Sequence, residues 1–145
     1  MEYRNIVCGV TGSAHAQKAA LEAAVLAKRH NANLIYVYVV DATFLKGGTM
    51  LPPKDVETSL ERIGRHILEL AEQIALTQGV TPKKVIKIGK VLESLKEVVT
   101  EEKADLLILG HEKRTFFEKA MFKGNVEDHV QELKQQTGVE VSVVN

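Results

Sequence analysis

The feature that most constrains this chain is an alternation between two hydrophobic periods. Short apolar runs rich in Val, Ile, Leu and Tyr occupy Arg4 to Val10, Leu34 to Val40, Val85 to Gly89, Asp105 to Leu109 and Val139 to Val144. Each is bounded by Gly, Asn, Asp or Pro, as strands are. Between them the apolar residues recur at helical spacing. Ala16, Ala19, Ala20, Ala23, Ala24 and Ala27 give the first helix a smooth face that can approach a sheet closely. Val56, Leu60, Ile63, Ile67, Leu70 and Ile74 form the stripe of a second helix, which Gly79 terminates. Leu92, Leu95, Val98 and Val99 mark a third, and Val126, Val130 and Leu133 a fourth that stops at Gly138.

Strand and helix alternating through five strands require parallel pairing, because each right-handed crossover places a helix over the sheet. The expected class is α/β: a three-layer sandwich with a five-stranded parallel sheet and helices on both faces. The first, second and fourth strands are nearly continuous apolar runs, as central parallel strands should be. The third carries Lys83, Lys84, Lys87 and Lys90, and the fifth alternates apolar and polar residues. Lysine decoration and alternation belong to sheet edges, which gives the order 3-2-1-4-5. The direction of winding then reverses between the first and fourth strands, and a ligand crevice is expected outside their carboxyl ends.

The chain has 145 residues, enough for one domain with a real core, and residues 1–145 are read as a single domain. It carries 19 basic and 19 acidic side chains, and the balance holds in each half, so nothing global favours nucleic acid or an anionic membrane. No run approaches the roughly 20 apolar residues of a membrane span, and the protein is expected to be cytoplasmic. The single Cys8 and five scattered His offer no metal-ligand spacing. Cys8 is read as a small buried hydrophobe.

Two segments flank the expected crevice. Thr11, Gly12 and Ser13 join the first strand to the first helix, where Ser13 suits an N-cap. The same turn would present free N–H groups and the positive end of a helix dipole to an anion. Neither G-x-G-x-x-G nor G-x-x-x-x-G-K-[ST] occurs. The second segment, Gly110 to Asn125, is too long for a minimal turn, has four Lys and Arg against two Glu, and leads into the fourth helix. Phe116, Phe117 and Phe122 lie in it, and Phe44 lies in the connection after the second strand, so all four Phe leave the carboxyl edge of the sheet. They serve either to pack the two long connections together or as an apolar patch for a protein partner. His111 beside Glu112 does not by adjacency make a proton shuttle, and no catalytic residue is assigned.

The chain resembles the universal stress protein family along essentially its whole length. The resemblance rests on an ordered set: Ile6-Val7 opening into Gly12-Ser13, the Ala-rich first helix ending near Ala27-Lys28-Arg29, Tyr36-Val37-Tyr38-Val39-Val40-Asp41, Gly89, Ala104-Asp105-Leu106-Leu107-Ile108-Leu109-Gly110, and the closing Val139 to Val144 strand. It implies the 3-2-1-4-5 sheet of the adenine nucleotide alpha hydrolase-like class, and homodimers joined through the last strand. It also implies a nucleotide site, here at Thr11, Gly12, Ser13, Val40, Asp41, Gly110, Lys113, Gly124 and Asn125.

ATP-binding members resemble one another in an Asp ending the first strand and a G-x2-G-x9-G-[ST] motif after the fourth. Here Thr11 stands at the Asp position, Gly110 keeps the first glycine, Lys113 replaces the second, ten residues precede Gly124, and Asn125 takes the Ser/Thr position. A side chain at the second glycine intrudes where backbone must approach phosphate. The expected function is a stress-response homodimer that acts by ligand or partner binding through a degenerate nucleotide site. The alternative is an ATP-binding switch or slow ATPase using the modified motif.

Overall fold

The protein is described by a computed structural model over residues 3–10, 14–40, 53–110 and 130–144, with the side chains of 14, 15 and 53–57 left aside. The elements run β1 (Asn5–Gly9), α1 (Ala14–His30), β2 (Asn33–Val40), α2 (Pro53–Thr77), β3 (Lys83–Ile88), α3 (Val91–Glu101), β4 (Leu106–Gly110), α4 (Val130–Thr137) and β5 (Glu140–Val144). The sheet is parallel throughout in the order β3-β2-β1-β4-β5, so the edge assignments of the lysine-bearing and alternating strands hold.

Each face of the sheet has its own core. On one side Ile6, Cys8, Leu34, Tyr36, Leu106 and Ile108 meet α1 and α2. On the other Val7, Ile35, Val37, Leu107 and Leu109 meet α3 and α4. Alternate residues of the same strands serve the two faces, which is why the central strands read as unbroken apolar runs. Full burial of each such side chain contributes about 1.5–3 kcal/mol. The alanine face of α1 lies flat on β1 and β4, with Ala19, Ala23 and Ala24 fully buried.

Helix α2 departs from its expected face. Its innermost positions are Gly64, Leu68, Ala71 and Ala75, while Ile67 and Ile74 are half-buried and Ile63 and Leu70 are 51% and 50% exposed. The reason is Tyr38 on β2: a Cβ at Gly64 would overlap its ring, so the helix can sit this close to the sheet only on its small-residue side. The large apolar stripe is thereby turned toward α1 and outward. Gly79 and Gly138 close α2 and α4 with φ of +76° and +73°, as their positions predict.

The lysines of β3 are ion-paired to both layers. Lys84 reaches Glu72 on α2 at 3.2 Å, Lys87 reaches Glu101 on α3 at 3.1 Å, and Lys83 pairs with Glu102. Their acidic partners are distant in sequence, 12 to 19 residues away. At the amino edge of the sheet Asp105 accepts the amides of Arg4 at 2.8 Å and Asn5 at 3.1 Å, and Tyr3 donates to Glu140.

Candidate functional site

The reversal of winding falls between β1 and β4, and there the sheet opens. The two strands pair only at Ile6↔Leu106, Val7↔Leu107 and Cys8↔Ile108. On its other side β1 remains paired with β2 to Gly9↔Val37, and the Val10 amide continues by donating to the Val37 carbonyl at 2.9 Å. Likewise β4 remains paired with β5 to Gly110↔Val144. Past Cys8 and Ile108 each strand therefore follows its outer neighbour, and the gap between them widens toward the carboxyl edge, where a ligand crevice belongs in such sheets.

Of the residues expected in that crevice, Val40 and Gly110 are described. Gly110 ends β4 at the mouth of the opening. Val40 ends β2, its side chain buried and its carbonyl accepting the Gly89 amide at 2.9 Å. Thr11, Gly12, Ser13, Asp41, Lys113, Gly124 and Asn125 lie outside the described residues, as do His111, Glu112 and all four Phe.

Cys8 is fully buried in the central strand and burial pushes its thiol pKa up, so it is neither accessible nor a ready thiolate. Asp105 is spent on backbone amides at the opposite end of the sheet. Among the described residues no group of three or more His, Cys, Asp or Glu could hold a metal ion. His66 is exposed on α2, and His30 stands edge-on to Tyr3 with ring centroids 5.1 Å apart.

Two features escaped the sequence reading. One is an apolar groove of about 240 Å³ between α1 and α2, walled by Gln17, Ala20, Ile67, Leu70 and Ile74 and floored by Val10. It exists because Gly64 rotates α2, and the width of the α2 stripe was its only trace in the sequence. The other is the start of α3, where Ser94 is 4% exposed yet its hydroxyl has no hydrogen-bond partner among the described residues. Nothing in the local sequence distinguishes such a serine from an exposed one.

The universal stress protein family model matches residues 2–136. No curated protein matches the chain. Solved structures with the same fold include the universal stress protein UspA from Lactobacillus plantarum, at 22% identity and a TM-score of 0.79, covering 100% of this chain and 99% of that one. A universal stress protein in complex with cAMP superposes with a TM-score of 0.70 at 22% identity, covering 100% of this chain and 98% of its own. The Archaeoglobus fulgidus universal stress protein in complex with dAMP gives 0.66 at 15% identity, with both chains covered over 100%. A family match over more than nine-tenths of the sequence, on a sheet that reverses between β1 and β4, means that this chain belongs to the universal stress protein family.

Proposed function

We propose that the chain is a stress-response binding module that holds a small adenine nucleotide in the crevice between β1 and β4 and has no catalytic turnover of its own. The observation that carries this is the parting of the two strands beyond Cys8 and Ile108, with Val40 and Gly110 at the rim. Two proteins of the same fold are described in complex with cAMP and with dAMP, each a nucleotide with one phosphate. The departures at Lys113 and Asn125, and the extra residue before Gly124, fall in the glycine motif that ATP-binding members share, and Thr11 replaces the Asp that accompanies it. They disfavour ATP more than a monophosphate, whose binding asks less of that loop.

Calorimetric titration with AMP, cAMP and Mg-ATP tests this reading. Saturable heat with AMP or cAMP, exceeding that with ATP, is expected. No saturable heat with any of them at millimolar ligand would remove the nucleotide and leave partner binding through Phe116 and Phe117. ATP as the tightest ligand, with phosphate release, would replace the proposal by the switch or slow-ATPase reading, in which Lys113→Ala weakens binding.

The working unit in this proposal is a single-domain cytoplasmic homodimer joined through Val139 to Val144. Among the described residues β5 pairs only with β4, which leaves its outer edge for a second copy. Val143 is half-buried in the protomer, whereas Val141 is already largely covered, so Val143→Lys is the sharper test. A dimer by sedimentation that this change dissociates is expected. A wild-type monomer at micromolar concentration overturns the dimer.

A further inference from the structure

We infer that the start of α3 is an oxyanion subsite, in which the Gly89 turn, the first-turn amides of α3, Lys90 and the buried Ser94 hydroxyl receive a phosphate group. It does not depend on the nucleotide reading, since inorganic phosphate alone would fill it.

Helix α3 runs 11 residues from Val91. Its N-cap is Lys90, extended at φ −72° and ψ 141°, and its side chain makes no cap hydrogen bond. The Ser94 amide donates to the Lys90 carbonyl at 2.9 Å, but the amides of Val91, Leu92 and Glu93 meet no acceptor among the described residues. Most helices satisfy such donors with Ser, Thr, Asp or Asn at the N-cap. This one has a cation there, which suits an external anion, and Lys90 is exposed and makes no ion pair among the described residues.

The second observation is Ser94. Its hydroxyl is buried without a partner among the described residues, an arrangement that needs a reason because an unmet buried hydroxyl is unfavourable. The oxygen faces Gly89. A Cβ built at Gly89 would lie 3.5 Å from Ser94 Oγ and, among the described residues, within 4 Å of no other atom beyond its neighbours in the chain. Gly89 itself has φ +146°, a conformation that side-chain-bearing residues rarely adopt. Among the described residues, the position a side chain would fill is therefore open and bordered by a hydroxyl that has no other partner, at the mouth of a helix whose first amides meet no acceptor. The Gly89 amide, donating to Val40, anchors this turn at the rim of the sheet.

One group opposes an anion. Glu93 is exposed in the first turn, and the Lys96 ammonium 3.9 Å from its carboxylate offsets it in part. Lys87, the other nearby cation, is committed to Glu97 and Glu101.

The test is an amide chemical-shift titration of the full chain, labelled with 15N, in which phosphate replaces chloride at constant ionic strength, with a parallel titration by AMP. Saturable shifts centred on Gly89 to Glu93 are expected. Lys90→Ala and Ser94→Ala should each weaken binding by roughly three- to tenfold, the scale of one charge-assisted contact in water. Gly89→Ala should abolish it by filling the cradle, and Ser94→Ala guards against misfolding of that variant because the hydroxyl supports nothing in the fold. If AMP also moves these amides and competes with phosphate, the subsite takes a nucleotide's phosphate. If AMP moves only residues around Val40 and Gly110, it takes a free oxyanion. Shifts that stay linear in phosphate, or that are unchanged in both Lys90→Ala and Ser94→Ala, overturn the inference whatever AMP does in the crevice.

Discussion

The hydroxyl of Tyr36, at the middle of β2, donates a 2.7 Å hydrogen bond to the main-chain carbonyl of Ala20 on α1. The phenol is buried between sheet and helix, and this bond lets the polar tip of a large aromatic side chain enter an otherwise apolar layer. It also fixes how far α1 can slide along the sheet. Tyr36→Phe is expected to destabilise the protein by about 1 kcal/mol, the net worth of one such bond. Urea unfolding checks it, and an unchanged midpoint would show that α1 is positioned by its alanines alone.

Alkali should unfold the protein earlier than its neutral charge balance suggests. Burial pushes up the pKa of Cys8 from 9.0 and of Tyr36 and Tyr38 from 10.0, so the fold favours their protonated forms. A raised folded-state pKa gives stability that is complete below the unfolded value and is lost as pH rises beyond it. Stability should therefore decline from about pH 9, and the tyrosinate absorbance of Tyr36 should appear only with unfolding. Cys8→Ala and Tyr36→Phe should each flatten the slope; parallel slopes in both variants would contradict this.

Gly64→Ala adds one methyl group where the Tyr38 ring already lies. Overpacking of this kind costs about 1–3 kcal/mol, and thermal denaturation should show it as a clear drop in midpoint. Tyr38→Leu should rescue part of the loss. A Gly64→Ala protein as stable as the parent would mean that α2 can lift from β2 without penalty.

Single losses of Lys84 or Lys87 should change stability by less than about 1 kcal/mol, because their pairs with Glu72 and Glu101 are exposed to solvent. The double change to valine should have a different consequence, association through the β3 edge, since charge is what keeps that edge from pairing. Light scattering of the two-valine protein decides the matter, and a monodisperse solution would assign the lysines to ion pairing alone.

Ser94→Ala should raise the thermal midpoint in the absence of anions. Removing a buried hydroxyl that has no partner relieves a penalty of about 1–3 kcal/mol. A lower midpoint would reveal a bond that Ser94 makes in solution.

The sheet was legible because its signals are local: unbroken runs for the central strands, lysines for one edge, alternation for the other. The point where the winding reverses, between β1 and β4, followed from the strand order alone. The face of α2 was misread because Ile63 and Leu70 are larger and more periodic than Gly64, Leu68, Ala71 and Ala75, yet the Tyr38 ring decides which side can approach. Hydrophobicity names candidates for burial, and steric fit chooses among them. The β3 lysines marked an edge correctly, but their ion pairs could not be read in advance, since their glutamates sit on two other elements. Ser94 could not be found in advance at all, because a hydroxyl becomes an orphan only when tertiary packing excludes water from it.

The three residue pairs that join β1 to β4 are also, among the described residues, the only ladder between the two halves of the sheet, β3-β2-β1 on one side and β4-β5 on the other. Closing that seam brings Ile6 to Leu106 across the longest loop any pair of neighbouring strands must close, so it is the step that topology makes slowest in folding. A molecule lodged where the seam gapes would touch both halves at once and act as a clasp. For such a protein, occupancy by a ligand and resistance to unfolding become one quantity, and a cell could register the ligand simply by how long the protein survives.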